Sequence, residues 1–192
     1  MEVKLEWVTD NAVAIIEYAA RMCYDSHDKV REGSAAKLVR ACINKGHYSI
    51  IEHASASFVI EGISRACLAQ LTRHRMFSFC VRSQRYCLED GYNYVVPDSI
   101  AEDGAALSIY ERGIHNTKDT YESLIARGVP REDARYVLPN AWETELVMTG
   151  NFRMWMEFIP KREHRAAQDE IRELAGRVHE QLARRFPEVF GQ

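Results

Sequence analysis

The chain has 192 residues, 25 Lys and Arg against 28 Asp and Glu, and five cysteines. That length suits a single domain, residues 1–192, large enough to bury a core with no disulfide or metal staple. The formal charge of −3 excludes a surface built throughout for nucleic acid, and no apolar run approaches the ~18 residues a membrane span needs. Residues 1–7 are charged and lack an apolar signal region, which predicts a cytoplasmic protein with no membrane partner.

In chain order, a first helix is predicted from Asp10 or Asn11 to about Met22, with Val13, Ile16 and Ala20 on its apolar side. A second runs from Ser34 to Gly46, with Leu38, Cys42 and Ile43 facing inward. Residues 54–61 alternate, with Ala54, Ala56, Phe58 and Ile60 on one face, and read as a strand ended by Gly62. Ser64 caps a predicted helix to about Arg75. Residues 77–86 read as loop with extended pieces, and 92–96 as a short strand. A long helix is expected over 102–126, closed by Gly128, then a short one from Pro130 to about Leu138. Residues 143–149 alternate as a strand. Asn151 caps a helix that Pro160 should end or kink, and a last helix spans about 165–185. This mixture predicts an α+β, helix-rich single domain with a small central sheet.

Cys23, Cys42, Cys67, Cys80 and Cys87 are odd in number and show no C-x-x-C spacing, which disfavours a disulfide framework or a zinc site. They read as reduced, packed thiols, with a reactive Cys80 or Cys87 left open because both flank a basic stretch. Trp7, Trp142 and Trp155 read as core or interface residues, and Tyr110 and Tyr121 as packing. His27, His115 and His179 are assigned to the surface with no role, whereas His47 and His53 suit either a structural or a ligand role.

The total charge hides a local asymmetry. Residues 62–88 hold Arg65, Arg73, Arg75, Arg82 and Arg85 and no carboxylate, so this window is +5 and leaves −8 elsewhere. Such a cluster implies phosphate-bearing ligands or carboxylates supplied by other parts of the fold. On the predicted helix, Gln70, Arg73 and His74 share one face. Ser78, Ser83, Gln84, Arg85 and Tyr86 follow, the parts of a nucleotide site without the glycines of a P-loop or dinucleotide fingerprint.

Arg73-His74-Arg75, seven further residues, then Ser83-Gln84-Arg85-Tyr86 resembles the signature of the flavin-dependent thymidylate synthases, also called thymidylate synthase complementing proteins. The segments 46–53, 134–139, Thr149 to Arg153, and Arg162 through 168–175 are similar to further parts of that family. The resemblance implies that family's fold, with a mostly antiparallel sheet. It implies a methyltransferase that converts dUMP to dTMP with methylenetetrahydrofolate, FAD and NADPH. A homotetramer with shared active sites and no metal is also implied.

By position, Gln70, Arg73, Ser83, Gln84, Arg85, Arg135 and Arg162 would surround dUMP. His47, Ser49, Glu52, Arg73, His74, Arg75, Asn151, Arg153, Glu157 and Gln168 would contact FAD. Arg162, His74 and Ser83 would carry the chemistry, Arg162 by stabilising charge on the uracil and Ser83 by hydrogen bonding rather than attack. Cys80-Val81 replaces a frequent Asn-Glu of the family, and Glu157 replaces a frequent Asn or His. Two competing readings are an RNA- or single-strand-binding module and a flavin- and nucleotide-binding homologue without synthase activity.

Overall fold

Val3, Leu5 and Trp7 alternate with Glu2, Lys4 and Glu6, and form strand β1 (Glu2–Val8) in a computed structural model that describes residues 1–91 and 93–191. This strand was not expected, although the alternation of apolar and charged residues is that of a half-exposed strand. Helices α1 (Ala12–Met22) and α2 (Ser34–Asn44) come next. Strand β2 (Ser55–Ser64), helix α3 (Arg65–Leu71) and strand β3 (Ser78–Val81) follow. Then come α4 (Asp98–Ala101), α5 (Gly104–Ala126), α6 (Arg131–Ala134) and β4 (Glu143–Asn151). Helices α7 (Phe152–Glu163), α8 (Asp169–Arg185) and α9 (Pro187–Phe190) complete the order. The α+β class holds. The strands form one small antiparallel sheet in the order β1-β2-β4-β3.

The chain divides into two compact units. The smaller comprises Met1, Glu61–Arg73 and Cys80–Leu146; the larger comprises Glu2–Ile60, His74–Phe79 and Val147–Gln192. Strands β2 and β4 each run through both.

In the larger unit, Ala54, Ala56, Phe58 and Ile60 are all buried, as the alternation requires. Phe58 and Phe77 meet Trp155 edge-to-face, with centroids 5.0 and 4.6 Å away, and Phe158 joins them. Along α8, Ile171, Leu174, Val178 and Leu182 are fully buried at helical spacing. Its Gln181 amide donates to Val3 O at 2.7 Å and accepts from Leu5 N at 2.8 Å, covering the free edge of β1. In the smaller unit, Trp142 and Tyr121 are buried, so both act in packing. Tyr110 donates to Val95 O at 2.7 Å.

Several expectations are corrected. Gly62 does not end β2. With φ +71 and a would-be Cβ 2.8 Å from Glu143 Oε1, it shifts the burial phase, so that Ile63 and Ser64 turn inward. Helix α3 stops at Leu71, not Arg75. Thr72 Oγ1 turns back onto Ala69 O, and the chain then turns through His74 O to Phe77 N at 3.1 Å to bury Phe77. Residues 77–86 include β3. Of the expected strand at 92–96, Tyr92 lies outside the described residues, and the remainder makes one bridge, Tyr94 to Trp142. Pro160 lies within α7, which continues to Glu163. Helix α8 begins at Asp169 rather than near 165. Val39 joins Ile43 as the buried face of α2, and Trp7 is 57% exposed, so it is not core.

Candidate active site

Helix α7 opens on Asn151, whose Oδ1 accepts from Met154 N at 2.9 Å. From that start, Arg153, Glu157 and Lys161 recur every four residues along one face. Arg153 bonds Glu52 through Nη1 and Glu157 through Nε at 3.2 Å, and Lys161 lies 3.7 Å from Glu157. The four side chains form an exposed ladder of alternating sign. Hydrogen bonding to Glu52, then to Glu157, holds the Arg153 guanidinium above its ordinary range.

A cavity of about 360 Å³ lies against this ladder, lined also by His74, Arg75, Phe77, Asn151 and Phe158. A second, of about 650 Å³, shares Arg153, Glu157 and Lys161 and adds Tyr48, Met156 and Arg162. Arg162 Nε donates to His74 Nε2 at 2.8 Å. A ring nitrogen that accepts carries no proton, so this geometry assigns His74 as neutral with its proton on Nδ1. The imidazole stands edge-on to Phe158 at 4.9 Å and Phe77 at 6.4 Å. Gly150 lets Phe77 come close, since a Cβ there would lie 2.4 Å from the ring.

The smaller unit carries the other predicted residues. Gln70 is half-buried in α3, whereas Arg73 lies exposed beyond its end. The shared helical face of Gln70, Arg73 and His74 is therefore not realised. Arg85 pairs with Glu132 and stacks over Tyr86 at 5.4 Å. Arg131 donates to Tyr86 O at 2.6 Å, and Arg135 Nε to Glu132 O at 3.1 Å. Gln84 Nε2 is buried with no hydrogen-bond partner among the described residues. Ser83 Oγ accepts from Arg85 N at 3.3 Å, and no carboxylate or imidazole bonds it among the described residues.

Of the predicted set, the larger unit gathers His74, Arg75, Glu52, Asn151, Arg153, Glu157 and Arg162 around its two cavities. His47, Ser49 and Gln168 belong to the same unit but are exposed and line neither cavity. Arg73, Gln70, Ser83, Gln84, Arg85 and Arg135 belong to the smaller unit. Sequence reading missed Lys161, which its spacing from Arg153 and Glu157 could have revealed. It also missed Tyr48, and Met156 and Met154, two residues that carry no charge or strong hydrogen-bonding group.

The +5 window is neutralised unevenly. Arg82 meets Glu89 and Glu145, and Arg85 meets Glu132, while Arg73 and Arg75 make no ion pair among the described residues. This is not an open basic face, which disfavours the RNA-binding reading. All five cysteines are free thiols, and burial pushes that of Cys42 up. Among the described residues no helix is long and apolar enough to cross a membrane.

The chain matches the thymidylate synthase complementing protein family over residues 4–188. Flavin-dependent thymidylate synthases of Mycolicibacterium vanbaalenii and Mycobacterium tuberculosis are each 40% identical over 203 residues, covering 96% of this chain and 81% of theirs. The UMP/dUMP methylase PolB of Streptomyces cacaoi, solved with 5-Br dUMP, matches at TM-score 0.89 and 26% identity, covering 99% of this chain and 93% of its own. The flavin-dependent thymidylate synthase ThyX of Helicobacter pylori, solved with FAD and dUMP, shares the fold at TM-score 0.82 and 24% identity, covering 99% and 98%. With Arg73-His74-Arg75 and Ser83-Gln84-Arg85-Tyr86 inside a match of nearly full length, the chain belongs to the thymidylate synthase complementing proteins, the flavin-dependent thymidylate synthases.

Proposed function

We propose that this chain converts dUMP to dTMP, with methylenetetrahydrofolate as one-carbon donor and FAD reduced by NADPH as hydride source. The observation that carries the mechanism is the 2.8 Å bond from Arg162 Nε to His74 Nε2. It fixes one cation in a part-buried cavity, on an imidazole held by two aromatic rings. Arg162 stabilises negative charge as it develops on the uracil, and a preoriented cation does this with little reorganisation. Neutral His74 holds the guanidinium plane and carries its own proton on Nδ1.

The residues present suit FAD. The cavity beside the ladder combines the apolar edges of Phe77, Phe158 and Met154 with Arg75, Asn151 and Arg153. A flat heteroaromatic ring fits the first group and an anionic pyrophosphate the second. His74, Arg75, Asn151 and Arg153 would hold the cofactor, with His47, Ser49, Glu52 and Gln168 as further contacts and Glu157 setting the charge beside Arg153. Bound there, FAD supplies the hydride. Arg73, Arg85 and Arg135 would bind the phosphate and ribose of dUMP, and Gln70, Ser83 and Gln84 its polar edges. Ser83 binds rather than attacks, since it lacks an adjacent base.

The same reading treats residues 1–192 as one catalytic domain that works in the cytoplasm as a homotetramer with shared sites. Its test is dTMP formation from dUMP, methylenetetrahydrofolate and NADPH by protein showing flavin absorbance. A colourless protein that takes up no FAD would overturn it. Binding of dUMP with no dTMP would instead make the chain an inactive homologue.

A further inference from the structure

Residues 82–89 carry Ser83, Gln84 and Arg85 between two ends that close on each other. Arg82 Nη1 lies 3.5 Å from each carboxylate oxygen of Glu89, and its Nη2 donates to Leu88 O at 3.2 Å. Both ends are also pinned to their surroundings. Arg82 N donates to Glu145 O on β4 at 3.0 Å, and Arg82 O accepts from Arg65 Nη2 on α3 at 3.1 Å. Glu89 Oε2 accepts from Trp142 Nε1 at 2.7 Å, and Glu89 N donates to the Tyr121 hydroxyl on α5 at 3.4 Å. Between the ends, Ser83 O accepts from Tyr86 N at 3.2 Å and Cys87 N at 2.9 Å, which tightens the turn.

Glu89 is 2% exposed. A buried carboxylate costs several kcal/mol of desolvation before pairing offsets it, and apolar replacements of such pairs are often no less stable. Stability alone therefore gives little reason for this arrangement. What an apolar pair would not reproduce is directional fixing of both loop ends.

We propose that the Arg82–Glu89 clasp, seated on Trp142, is a positioning device that holds Ser83, Gln84 and Arg85 in dUMP-binding geometry without itself touching the nucleotide. This rests on the reading that these three residues contact dUMP. Burial lowers the pull of Arg65 on its own proton, Glu89 opposes that shift, and Arg82 and Arg135 reinforce it, so these groups share one local field.

The experiment is calorimetric titration of dUMP into FAD-loaded enzyme, with steady-state kinetics alongside. Glu89→Gln keeps an acceptor for Trp142 Nε1 and removes the buried charge facing Arg82, leaving Arg82 the exposed Glu145 carboxylate at 3.7 Å. It should weaken dUMP binding and raise its KM about tenfold, the loss of one charge-assisted contact, with kcat at saturation within about twofold. Flavin absorbance per chain should not change. Arg82→Gln should match it, Arg82→Lys should recover part of the affinity, and the double variant should add no further loss. Should Glu89→Gln fail to fold, Arg82→Gln carries the test from a side chain that is one-third exposed. Unchanged dUMP affinity would overturn the proposal, as would a parallel fall in affinity, kcat and flavin content. Wild-type enzyme that binds no dUMP would overturn the functional reading instead.

Discussion

In the larger unit the carboxylates Glu52 and Glu157 stand half-exposed beside Arg153 and Lys161, whereas in the smaller unit Glu89 is sealed against Arg82 and Trp142. Exposed pairs are screened and contribute little individually. The sealed one is costly to break from the Arg82 side, because Glu89 is then left charged and dry. The larger unit fixes geometry by packing instead, through Phe77, Trp155 and Phe158 under His74. Position is thus set by rings in one unit and by charge in the other.

Arg162 combines both means, a cation braced by a ring, so its removal should have the largest effect. Arg162→Ala should lower kcat about a hundredfold or more while FAD stays bound, measured by dTMP formation and flavin absorbance. Full activity in that variant would remove the charge-stabilising role. Gly150→Ala tests the packing itself. The new Cβ would lie 2.4 and 2.6 Å from Phe77 ring atoms, forcing the ring away from Trp155. Thermal or urea unfolding should show a loss of about 1–3 kcal/mol, with weaker flavin retention. A variant as stable as the parent and equally yellow would mean that the rings do not set the site.

These two effects differ in how far the sequence announced them. Arg73 to Tyr86 is a contiguous motif, so it was legible. So was the buried face of β2, because Ala54, Ala56, Phe58 and Ile60 alternate without interruption. The end of α3 was not, since residues 72–75 continue a plausible helix and only the burial of Phe77 turns the chain. The clasp was hidden for a related reason: Glu89 finds Trp142 53 residues away and Tyr121 32 residues away. Nothing local distinguishes it from a surface glutamate. Burial of charge is a tertiary event, and a linear charge count sees only the arginines.

Ser83→Ala probes the smaller unit at a residue the clasp positions. Its hydroxyl bonds Arg85 N at 3.3 Å and has no base to activate it. Activity should persist, with dUMP KM raised less than about tenfold, the scale of a neutral hydrogen bond. Complete loss of turnover with intact dUMP binding would restore a nucleophilic serine.

The smallest effect is expected at the ladder. Glu157→Gln removes a charge that faces Arg153 at 3.2 Å and Lys161 at 3.7 Å, all three exposed. Arg153 keeps Glu52, its stronger partner, so the guanidinium stays in place. FAD affinity, read by fluorescence titration, should change within about threefold, and that change should shrink as salt rises. The neutral amide also leaves the cavity beside the ladder more positive, so any change should favour the anionic cofactor. A tenfold or salt-independent loss of FAD would mean that Glu157 touches the flavin directly, and the contrast between a screened ladder and a sealed clasp would no longer hold.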